Sequence, residues 1–91
     1  MRKFYYTYVL HSDRDQQLYV GFTRNLVERF EQHKKGQVPS TKHRRPLELV
    51  YYEACLDAAD TQHRERYLKT WHGKRYIRSR LKSFLAGCNK T

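Results

Sequence analysis

Cysteine is scarce: Cys55 and Cys88 are the only two among 91 residues, they form no C-x-x-C pair, and they are too few for a disulfide framework. Both read as free thiols in a reducing compartment. Acidic residues are scarce too, nine Asp and Glu against nineteen Lys and Arg, for a formal net charge of +10. Such an imbalance repels itself in a compact chain and is usually relieved by a polyanionic partner, nucleic acid first among them. Long apolar runs are missing. Phe4 to Leu10 is shorter than a secretory h-region, alternates as a strand does, and has no small-residue cleavage site after it. Neither an apolar helical face nor a lipidation signal accompanies the charge, so no membrane partner is expected and the cytoplasm is the expected location. No repeat, linker or low-complexity tract divides the chain. Its length predicts one domain, residues 1–91, on which catalysis and recognition share a single scaffold.

Tyrosine is abundant and clustered. Tyr5 to Leu10 and Leu18 to Thr23 are rich in aromatic and β-branched residues and flank the polar stretch Ser12 to Gln17, the pattern of a β-hairpin. In the second strand Leu18, Val20 and Phe22 share one face, which turns Tyr19 to the other. Thr23 or Asn25 caps a first helix with Leu26, Val27 and Phe30 inward and a stop at Gly36. On that helix Arg29 and His33 lie about 40° apart around the axis, beside the apolar stripe, so they can converge on one site. Gln37 to Pro46 has no apolar period and reads as a basic surface loop. Leu47 to Glu53 predicts a third strand. Asp57 caps a second helix with the stripe Ala58, Thr61, Glu65, Leu68 and His72, interrupted at Gly73. A third helix turns Ile77, Leu81, Phe84 and Leu85 inward and ends at Gly87. The class is α/β (α+β): a small three-stranded antiparallel sheet flanked by helices, in the order β-β-α-β-α-α.

Tyr6-Thr7-Tyr8, ten residues, Tyr19-Val20-Gly21, then Thr23, Leu26, Arg29 and His33, and later Arg-Glu-Arg-Tyr-Leu-Lys around Glu65, together resemble the GIY-YIG nuclease signature. The resemblance covers most of the chain, which looks like the small stand-alone bacterial members related to the N-terminal nuclease domain of the repair excinuclease. It implies a sheet flanked by helices, metal-dependent endonuclease activity on DNA, with RNA as another possible nucleic acid, and, by analogy, repair or structure-selective cleavage. Carried over, Tyr8 and Tyr19 help to activate water, Arg29 faces the scissile phosphate, His33 lies beside them, and Glu65 holds Mg2+ or Mn2+. The sequence departs from the pattern at Tyr6, where glycine is typical, and in the late asparagine, for which only Asn89, past the last predicted helix, is available.

The residue types suit that chemistry. Hydrolysis of a phosphodiester builds charge on non-bridging and leaving oxygens, which a guanidinium and a hard cation stabilise. Magnesium commonly binds through one or two carboxylates plus substrate phosphate, so a lone glutamate suffices. A tyrosine with a pKa near 10 is a poor base at neutral pH unless positive charge or hydrogen bonds help it. Lys34, Lys35, Lys42, Arg44, Arg45, Lys69, Lys74 and Arg78 are the expected nucleic-acid contacts. Two alternatives stand beside this reading. Glu65 is an ordinary salt-bridge partner of Arg64, Arg66 or Lys69, or the scaffold binds nucleic acid without cutting it. An RNA-recognition domain, suggested by Leu18-Tyr19-Val20-Gly21, lacks its longer partner motif on Leu47 to Glu53.

Overall fold

Aromatic and β-branched residues favour a pleated, half-buried surface, and three segments rich in them pair into one sheet. In the computed structural model, which describes residues 1–88, these are β1 (Tyr5–Ser12), β2 (Leu18–Thr23) and β3 (Leu47–Cys55). Asn89 lies outside the described residues. The strand order is β2-β1-β3, antiparallel throughout. Among the described residues this sheet has three strands, and the α+β class and element order are those expected. No described helix is long and apolar enough to cross a membrane.

β1 is central, and its side chains are buried without interruption from Thr7 to Ser12 because both faces of the sheet are covered. One face joins Tyr8, Leu10 and Leu47 to Tyr19, Leu49 and the residues Leu26 and Phe30 of α1 (Leu26–Lys34). The other joins Val9 and Val20 to Leu68 of α2 (Ala58–Leu68) and Ile77 of α3 (Trp71–Arg80). Opposite the Val9/Leu10 step the register jumps from Tyr51 to Leu49, leaving Val50 unpaired. This bulge sets Val50 and Tyr51 against the same core.

Local signals fix the helix ends. Asn25, rather than Thr23, caps α1 by accepting from Glu28 N, and Thr23 Oγ1 in turn accepts from Asn25 N. Gly36 takes φ +76° just past the helix, and the Gln37 N–H closes back on Gln32 O. Val27, expected inward, is exposed, because the helix meets the sheet through Leu26, Phe30 and His33.

Asp57 caps α2 as expected, accepting from Asp60 N. The helix nevertheless ends at Leu68, and His72 leaves the predicted stripe for the surface. The reason is Thr70, whose hydroxyl accepts from Gly73 N and starts α3. Gly73 is therefore no stop. A Cβ there would lie 1.9 Å from Tyr67 O, so glycine lets α3 begin directly against the end of α2. The last predicted helix is divided at Leu81 into α3 and α4 (Lys82–Cys88).

Candidate active site

β1 and β2 bring the two singled-out tyrosines to the α1 side of the sheet. Tyr8 pairs with Gly21, and Leu10 pairs with Tyr19. A Cβ at Gly21 would lie 2.4 Å from both the ζ carbon and the hydroxyl oxygen of Tyr8. The glycine thus lets the Tyr8 ring cross the neighbouring strand.

From α1, one helical turn apart, Arg29 and His33 converge on those tyrosines. His33 Nε2 lies 2.8 Å from the Tyr8 hydroxyl, and its Nδ1 lies 2.7 Å from Thr41 Oγ1. Tyr8 is 1% exposed, and His33 and Thr41 are fully buried. Tyr19 sets its ring edge-on to His33, with centroids 5.3 Å apart, and its hydroxyl accepts from Ser40 Oγ at 3.3 Å. Arg29 donates to Gln32 Oε1 at 3.0 Å. Tyr19 and Arg29 are only partly buried and form the accessible side of the site.

Burial, joined by the Arg29 charge, lowers the His33 pKa to about 4. The ring is neutral at neutral pH. Burial also raises the Tyr8 hydroxyl, and the Arg29 guanidinium pulls it back only in part, while the charges of Tyr19 and Glu65 push it further up. The Arg29 guanidinium thus favours ionisation, but burial outweighs it and Tyr8 rests as a phenol. A guanidinium only donates, so Arg29 beside the Tyr8 oxygen favours the arrangement in which the phenol hydrogen goes to His33 Nε2. Nδ1–H then donates to Thr41. This chain leaves His33 Nε2 as a proton acceptor aimed at Tyr8.

Glu65 approaches from α2, close enough for its charge to act on Tyr8. Its side chain is 20% exposed, and Lys69 Nζ holds Oε2 at 3.0 Å. Of the three salt-bridge partners considered, Lys69 is the one engaged, since Arg64 makes a two-pronged contact with Glu53 instead. Among the described residues no three His, Cys, Asp or Glu cluster as a metal cage. A cation here would take one carboxylate from the protein and the rest of its oxygens from water and substrate, a donor set of the kind magnesium accepts.

The expected nucleic-acid contacts divide. Lys34 pairs with Glu31 at 2.7 Å, and Arg44 with Asp15, holding that carboxyl down to about 2. Arg45 donates to Lys42 O and Lys34 O and lies against Gly36, closing the end of α1. Lys35, Lys42 and Lys74 are exposed, and Arg78 reaches Gln17 Oε1 at 3.1 Å. Sequence reasoning missed Thr41, Ser40 and Gln32. The first two lie in the stretch read only as a basic loop, and a hydroxyl there carries no local signal of its partner.

Comparison with known proteins shows the family to which the chain belongs. The sequence model described as the GIY-YIG catalytic domain matches residues 4–78. A UPF0213 protein of Pediococcus pentosaceus is 42% identical over 66 residues, 71% of this chain and 68% of that protein. One of Clostridium perfringens is 38% identical over 65 residues, 70% of this chain and 69% of the relative. One of Bacillus pumilus is 36% identical over 72 residues, covering 78% and 72%. No solved structure matches the chain significantly.

Proposed function

The chain belongs to the GIY-YIG catalytic-domain family, a nuclease family, and from that premise we propose that it is a divalent-metal-dependent endonuclease hydrolysing DNA phosphodiester bonds. The observation that carries this reading is the buried chain Tyr8 hydroxyl, His33 Nε2, His33 Nδ1, Thr41 Oγ1. As water attacks phosphorus, its proton passes to the Tyr8 oxygen while the Tyr8 proton moves to Nε2. The bond from water oxygen to phosphorus forms, the bond to the leaving sugar oxygen breaks with that oxygen taking a proton from solvent water, and no lasting tyrosinate is required. A neutral histidine is what such a relay needs.

Arg29, on the accessible side, neutralises charge developing on the non-bridging oxygens. Mg2+ or Mn2+ held by Glu65 supplies Lewis-acid stabilisation of phosphate charge when bound. Tyr19 borders the same space and is fixed by Ser40.

A second reading, a nucleic-acid-binding module without cleavage, is favoured by one contact, the Lys69 ammonium on the Glu65 carboxylate. Incubation of the purified protein with plasmid, single-stranded, branched and RNA substrates, with Mg2+, Mn2+ or chelator, separates the two. Metal-dependent scission supports the nuclease. Binding to all substrates with none cut would establish the module.

A further inference from the structure

α3 carries a surface that the catalytic site does not use. Its inner side is Gly73 and Ile77. Trp71, Lys74, Arg75 and Arg78 fall within about 100° of arc on an outer sector of the same helix. Trp71 is 67% exposed, an unusual setting for so large an apolar ring. The Arg75 guanidinium lies 5.6 Å from its centroid. These four residues line a hollow of about 490 Å³. Lys74 and Arg78 also border a second hollow of about 400 Å³, floored by Leu18, Val20, Leu68 and Ile77 and reaching Tyr19 and Lys69. Through those two shared cations the surface runs from the exposed indole to the edge of the catalytic site. No Asp or Glu lines either hollow.

We propose that this face of α3 is a track for an unpaired nucleic-acid strand, with Trp71 as its base-stacking platform and Lys74, Arg75 and Arg78 along the strand's phosphates. An indole beside cations suits a single strand, whose bases are free to stack, whereas a duplex hides its base faces and offers mainly phosphate. The apolar floor of the second hollow accepts another unpaired base next to Tyr19. A protein partner is less well matched, because the indole is ringed by charges of one sign. The track's direction, toward Tyr19 and Glu65, rests on the catalytic reading. Its occupancy does not.

Trp71 is the only tryptophan, so its fluorescence, excited on the red edge where tyrosine does not absorb, reports on the platform directly. The full chain, in chelator, is titrated with an oligothymidylate and with a blunt duplex carrying the same number of phosphates. The oligothymidylate is expected to quench Trp71 strongly and the duplex weakly. By anisotropy of labelled strands, Trp71→Ala should weaken oligothymidylate binding by roughly tenfold, Trp71→Phe much less, and neither should move duplex binding by more than about twofold. Lys74→Ala and Arg75→Ala should each reduce the salt slope of single-strand binding by about 0.7. Equal quenching by both ligands, or single-strand affinity unchanged in Trp71→Ala, would overturn the proposal. Strand binding that persists where no substrate is cut upholds the track and rejects the nuclease. Cleavage of flapped and blunt substrates at equal rates, unaltered by Trp71→Ala, rejects the track and leaves the nuclease standing.

Discussion

Acidification from neutral pH should destabilise the fold in a window set by His33. Its pKa is about 4 in the folded chain against an ordinary 6.5, so the unfolded chain takes up a proton that the folded chain refuses. The stability is fully present above about 6.5, declines as pH falls from there, and suffers no further loss from this group below about 4. Integrated over that window, the loss is about 2 kcal/mol near pH 5 and about 3 kcal/mol near pH 4. The cause is visible in the contacts. A protonated ring must donate from both nitrogens, so the Tyr8 hydrogen would have to turn away from Nε2 while the Arg29 charge repels the new one. Carboxylates held low, Asp15 and Glu53, lose their contributions as pH falls from the ordinary carboxylate values toward their lowered ones, so they act later. Urea unfolding from pH 7.5 to pH 4, on the wild type and on His33→Gln, isolates the effect, since the variant lacks the titrating ring. Ring resonances of His33 should show a neutral imidazole in the folded protein until pH falls well below 6. A wild-type curve parallel to that of His33→Gln between about pH 6.5 and 4.5, or a folded imidazole titrating near 6.5, would refute the argument.

Tyr8→Phe should fold but lose about 1–3 kcal/mol, because Nε2 is left buried without its donor, and cleavage should fall about a hundredfold or more with the relay. Thermal melts and plasmid nicking test both halves, and full activity in this variant would remove Tyr8 from the mechanism. Gly21→Ala should cost about 1–3 kcal/mol by pushing the Tyr8 ring, with activity reduced even where the variant is folded; a neutral effect on melting and cleavage contradicts the close approach. Glu65→Gln should cost at most about 1 kcal/mol for its partly exposed pair with Lys69, abolish metal-dependent cleavage, and bind DNA as well as or better than wild type. Arg29→Ala should also stop cleavage but bind more weakly, so equal affinities in the two variants, or wild-type cleavage by Glu65→Gln, count against their separate roles.

Most of the fold was legible because its signals are local. Period-two alternation marked the strands and turned Tyr19 away from Val20, the i, i+4 relation joined Arg29 to His33, and Asn25, Gly36 and Asp57 stood at helix ends where their chemistry belongs. The break between α2 and α3 was hidden because Thr70 sits inside an otherwise helical stripe, and because glycine serves both as a stop and as a close-packing residue. Gly73 is the latter. Thr41 was out of reach for a different reason. It meets His33 only after the chain reverses past Gly36, and nothing in Gln37 to Pro46 has a period to read. The engagement of Arg44 by Asp15 spans the hairpin turn and the same loop, so charge counting alone placed that guanidinium among residues open to nucleic acid.

The unpaired Val50 has a meaning beyond local shape. Tyr8 and Val9 are neighbours in sequence but face opposite sides of the sheet, one toward His33 and the other toward Leu68 and Ile77. A slip of β1 by one residue would exchange the two faces completely, burying the Tyr8 hydroxyl among aliphatics and aiming valine at the histidine. Because the bulge gives β3 one residue more than β1 between Tyr51 and Leu49, the strands match in one alignment only. Chains in which Tyr8 and His33 fail to meet are then chains in which the interior is misassembled too, so the site and the core form together or not at all.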